Sequence, residues 1–141
     1  MVTTRTGGRE GSVVVVVGLV LALLAGALHV YIFVLESLLW TTPRARAVFG
    51  TTEAEAAATR QLAYNQGFYN LFLAVLAVLG VVLAFAGVTV VGTTLVVAGC
   101  GSMVAAALVL LTSDRSKQRA ALTQMAFALL ALIALALSVV V

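Results

Sequence analysis

Four long apolar stretches, separated by short polar breaks, account for nearly the whole chain: residues 13–40, 62–86, 88–111 and 120–141. Each is longer than the roughly 20 residues that a helix needs to cross a hydrocarbon core about 30 Å thick. The runs are continuous and lack the in–out alternation of a membrane barrel strand, so helices are the spanning element. The pattern predicts an all-α integral membrane four-helix bundle over residues 13–141, preceded by a polar tail, residues 1–12, expected to be disordered.

The breaks differ in kind. Residues 41–61 form the one sizeable connection, and Pro43 disfavours helix at Thr42, so the first span is expected to stop there. Thr52 followed by Glu55 reads as a capping box opening a new helix. No Pro or Gly follows before Gly67, so this helix is expected to run on into the second span. Around Gly87 the break is only a few residues, which makes spans two and three antiparallel neighbours. Before the last span, Ser113 or Asp114 is placed to cap the helix or shape its turn.

Composition excludes the soluble alternative. The 141 residues are 63% hydrophobic and 9% charged, against about 25% charged in a soluble domain. The net charge of +3 comes from basic residues placed beside apolar runs, which suits anionic lipid headgroups and not nucleic acid. A single cysteine, Cys100, excludes an intramolecular disulfide and reads as a buried filler. No metal-ligand or cofactor spacing occurs, so neither a metal nor a cofactor is expected. The apolar run after Arg5 and Arg9 is too long for a cleaved signal and is expected to stay as the first span.

An even number of spans leaves both termini on one side, with Arg5 and Arg9. The other side carries Arg44, Arg46, Arg60, Arg115, Lys117 and Arg119. Six basic residues against two place these loops in the cytoplasm and both termini outside. Trp40 and Tyr64 then fall at the cytoplasmic interface, where amphipathic rings settle.

Polar side chains at membrane depth are costly and need protein or water partners. His29 and Glu36 are seven residues apart on the first span, on one stripe with Gly18, Ala22, Ala25, Phe33 and Trp40, about 10 Å from each other along the axis. They are candidates for acid–base or hydrogen-bonding chemistry, or for a structural bond to span two. Span two adds Asn65, Gln66, Tyr69 and Asn70, and span four adds Thr123 and Gln124, all in the same half of the bilayer. A shared pocket open toward the cytoplasm accounts for them economically, with Arg44 and Arg46 at its mouth. Its expected ligand-binding set is His29, Glu36, Trp40, Arg44, Asn65, Gln66, Tyr69, Asn70 and Gln124. Helix association through amides is the competing explanation.

The stretch HVYIFVLESLLW from His29, the following TTPRARAVFG ending at Gly50, and AYNQGFYNLFLA from Ala63 carry a resemblance. Together they resemble the bacterial membrane family catalogued as domain of unknown function 1304. Its pattern is matched here by His29, Glu36, Trp40, Thr42, Pro43, Arg44, Phe49, Gly50, Asn65, Gln66, Gly67, Tyr69 and Asn70. The resemblance is specific over residues 28–74 and thereafter rests on hydrophobicity and span count. It implies a short four-span protein of the bacterial inner membrane and no assigned activity.

Three functions compete at this level. One is binding of a lipid or small lipophilic molecule in the pocket. Another is intramembrane acid–base catalysis, such as isomerisation, on a lipophilic substrate. The last is a structural or regulatory membrane subunit. Transport by only four spans would favour a homodimer.

Overall fold

Because the long helices are apolar all round, hydrophobicity alone does not choose the face each one buries. Residue size does. Without a hydrophobic force between helices in lipid, close backbone approach is what holds them, and small residues permit it. The computed structural model describes residues 7–140, and its interior follows that rule. Ala22, Ala25, Ala77, Ala107, Ala128 and Ala131 are buried, while Val16, Leu24, Phe72, Val82, Leu108 and Leu130 face outward.

The elements are α1 (Gly7–Phe33), a π-helical turn (Val34–Leu38), α2 (Pro43–Phe49), α3 (Glu53–Phe85), α4 (Thr89–Ser113), a 3-10 turn (Arg115–Lys117) and α5 (Gln118–Leu137). Among the described residues, four helical segments are long and apolar enough to cross a membrane, so the chain is a multi-pass membrane protein. Its outward apolar faces are suited to contact with lipid. Of the expected polar tail, residues 1–6 lie outside the described residues, while residues 7–12 form the first turns of α1.

The spans run up and down in the ring order α1, α3, α4, α5 and back to α1, with α1 and α4 on a diagonal. The end that carries α2 and the 3-10 turn is called the loop end; the end with Gly87 is the turn end. At the turn end, Gly87 takes a positive φ of 87°. There the Val88 N–H reaches the Leu83 carbonyl at 2.9 Å and the Gly87 N–H reaches Ala84 at 3.2 Å, a Schellman closure. Below it α3 and α4 nearly touch backbone to backbone. A β-carbon on Gly80 would lie 2.7 Å from the Gly92 carbonyl oxygen, and one on Gly92 would overlap the Ala84 amide.

The central core joins all four spans through Leu19, Ala25, Val81, Val96, Cys100, Met103 and Leu135. Cys100 is a fully buried part of it. At the loop end the capping box is present: Thr52 Oγ1 accepts from the Glu55 amide at 3.2 Å, and Glu55 Oε2 accepts from the Thr52 amide at 2.8 Å. Helix α3 then continues unbroken for 33 residues, about 50 Å, well beyond a hydrocarbon core.

Candidate functional site

Straight helical spacing puts His29 and Glu36 on one stripe, and both side chains turn inward. His29 is buried, its Nδ1–H donating to the Ala25 carbonyl one turn back at 2.9 Å. Glu36 sits in the π-helical turn, closed by the Leu39 N–H to the Val34 carbonyl at 3.1 Å. Its Oε2 accepts from Asn70 Nδ2 at 2.8 Å, and the same amide donates to the Gln66 carbonyl at 3.2 Å. Ser37 Oγ donates to the Tyr64 carbonyl at 2.8 Å. The wide turn presses onto Gly67, where a β-carbon would overlap the Ser37 hydroxyl and lie 3.1 Å from Glu36 Cβ. Glycine at 67 is what lets α1 come this close to α3.

Beyond Leu38 the chain leaves the helix, so Trp40 projects from a bend and not from the α1 stripe. Its Nε1–H donates to Thr59 Oγ1 on α3 at 3.1 Å, and its ring lies 5.1 Å from that of Phe49 on α2. Helix α2 has its own stops: Thr42 Oγ1 accepts from the Ala45 amide, Pro43 occupies the first turn, and Gly50 ends it with φ 63°. Lys117 Nζ donates to the Phe49 carbonyl, fastening α2 to the 3-10 turn before α5. In that turn the Ser116 hydroxyl and amide donate to Asp114 Oδ1 at 2.6 and 2.9 Å. These bonds hold the Asp114 carboxyl below the usual aspartate range, so the turn keeps them until pH falls through that lowered value.

Fastened this way, α2 roofs a groove of about 440 Å³ at the loop end, between α1 and α5. Leu28, Ile32, Leu35 and Ala120 make its apolar floor, while Lys117, Arg119, Thr123 and Gln124 supply polar groups. Tyr31 stands at the rim, where its hydroxyl accepts from Arg44 at 3.2 Å and the guanidinium lies 5.6 Å from its ring centroid.

The sequence profile of the family described as "Protein of unknown function (DUF1304)" matches residues 23–136. The chain belongs to the DUF1304 family. The match runs through all four spans, past residue 74 where the local sequence resemblance fades. No curated protein and no solved structure matches the chain.

In this DUF1304 protein the nine expected site residues do not gather round one cavity. Glu36 and Asn70 meet directly, and His29 is buried about two turns deeper on α1. Gln124 lines the groove, and Arg44 reaches its rim through Tyr31. Trp40 ties the loop together. Asn65, Gln66 and Tyr69 lie on the outer face of α3, with no side-chain hydrogen bond to any described residue. Asn70 alone of that group is inward, since it continues the small-residue stripe of Ala63, Gly67, Ala74 and Ala77. Tyr31, Ser37, Thr59 and Lys117 enter the loop-end assembly without having been singled out by sequence. For Tyr31 the signal was an amphipathic ring one turn from Leu35 and near a basic loop. Ser37 offered none, because a lone serine at a helix end is unremarkable.

Proposed function

We propose that this protein binds a lipophilic molecule taken from one membrane leaflet, in the groove between α1, α2 and α5. The observation that carries this reading is the groove: its volume of about 440 Å³ is of ligand size. It also pairs an apolar floor with a polar mouth at the end of the bundle where six of the eight basic residues lie. By that charge balance the groove belongs to the cytoplasmic leaflet, with both termini outside. In this reading Glu36, Asn70 and His29 set the packing of α1 on α3, while Gln124 and Arg44 serve the groove. An acid–base reaction at His29 and Glu36 has less support, since neither residue lines the groove.

Native mass spectrometry of the gently purified protein tests this. Wild type and Glu36→Gln are expected to retain the same lipophilic species, and Ala120→Phe, which fills the groove, is expected to lose it. Retention by Ala120→Phe together with loss in Glu36→Gln would move the site to the α1–α3 interface and overturn the proposal.

A second reading has its own observation. The outer face of α3 presents Asn65, Gln66 and Tyr69 with no side-chain hydrogen bond to another described residue, as groups free for a contact with another subunit. A dimer in the same spectra, lost on replacing Asn65 and Gln66 by leucine, is the result expected from it; a monomer throughout would exclude it.

A further inference from the structure

We infer that the occupant of the groove is an anionic membrane phospholipid whose phosphate lies at the mouth, between Lys117 and Arg119. This rests on the groove being the binding site and adds the chemistry of the headgroup. The groove lining contains two cations and no carboxylate. Two carboxylates act on Lys117 electrostatically from outside the lining, each held in place by neutral donors. Asp114 accepts from the Ser116 amide and hydroxyl. Glu55 accepts from the Thr52 amide at 2.8 Å and hydroxyl at 2.9 Å. Lys117 spends one N–H on the Phe49 carbonyl, which fixes the ammonium at the mouth and leaves its other donors for a ligand. Arg119 is exposed beside it and makes no side-chain bond to a described residue. The Gln124 amide adds a neutral donor to the same wall, whereas the hydroxyls of Ser116 and Thr123 already donate to Asp114 and to the Arg119 carbonyl.

A purely ionic ligand would use the mouth alone, because inorganic phosphate leaves the Leu28, Ile32 and Leu35 surface uncovered. Gln124 lies about 10 Å, seven residues, beyond Lys117 along α5, so the floor is long enough for acyl chains to start down it before joining the bilayer. A zwitterionic headgroup would set its ammonium against Lys117 and Arg119 with no carboxylate in the lining to receive it. Charge therefore selects the anionic lipid, at about fivefold for each cation near the surface.

The test exposes the full-length protein in detergent to an equimolar mixture of phosphatidylglycerol and phosphatidylcholine with identical chains, and counts bound lipid by native mass spectrometry. Phosphatidylglycerol is expected to exceed phosphatidylcholine at least about fivefold. Arg119→Gln and Lys117→Gln should each lower the ratio, and Lys117→Arg should keep it. Arg60→Gln, which removes an exposed cation of α3 outside the groove lining, should leave it unchanged. Equal retention of both lipids, each lost in Ala120→Phe, would overturn the headgroup inference and leave the groove reading standing. Retention of neither lipid would overturn both. An effect of Lys117→Gln without one of Arg119→Gln would trace to the Phe49 tether and overturn the inference. A fall for Arg60→Gln as large as for Arg119→Gln would reduce the preference to general surface charge. Displacement of the lipid by millimolar inorganic phosphate would show that the groove takes the free anion instead.

Discussion

At Gly67 a missing side chain decides how two spans meet. The π-helical turn brings Ser37 and Glu36 against it, with the Ser37 amide 3.0 Å and the Glu36 Cβ 3.1 Å from where a β-carbon would lie. Gly67→Ala is expected to cost about 1–3 kcal/mol through overpacking, read as a lower thermal midpoint in detergent. An unchanged midpoint would mean that the π-helical turn relaxes to accommodate the methyl group. That His29 and Glu36 would need protein partners was legible in the sequence, because ionisable groups at membrane depth are expensive wherever they point. Which of Asn65, Gln66, Tyr69 and Asn70 faces inward was not. Polarity marks all four alike, and the choice belongs to the small residues at 63, 67, 74 and 77 that bring α3 against its neighbours.

Among elements, α2 shows what a linear reading loses. Thr42 and Pro43 carry both a stop for the preceding helix and a start for the next, and only the stop was read. Gly50 then closes a helix of seven residues, too short for any periodicity to show. The π-helical turn left no trace either, since Val34–Leu38 contains no Pro or Gly to mark it. By contrast the four spans and the Thr52–Glu55 start of α3 were legible, because length and capping chemistry are local properties. Thr42→Ala removes the side-chain acceptor for the Ala45 amide and is expected to cost α2 about 1 kcal/mol. Faster hydrogen exchange over residues 44–50, with the spans still protected, is the result that checks it. Exchange that quickens equally along α1 and α3 would show α2 to be part of the bundle's cooperative unit.

On the scale of the molecule, the up-and-down order of spans was legible from their number and short connections, whereas the side each end faces comes only from the distribution of basic residues. Single cysteines in a Cys100→Ala background test both. Thr41→Cys and Ser116→Cys are expected to react together, and Val88→Cys from the opposite side. An impermeant reagent on intact cells should label Val88→Cys alone, and labelling of the other two instead would reverse the orientation. The ring order has a last consequence. Three of its four neighbouring pairs are joined by a connecting segment, but α5 and α1 meet with no covalent link between them. The bundle is a ring whose seam between α1 and α5 is closed by packing alone, and the groove lies at the loop end of that seam. A molecule can enter it sideways from the bilayer without any connection being broken. A ligand held there as proposed would act as a clasp: unzipping the first span from the last would also release it, and tighter occupancy would become greater stability by mass action.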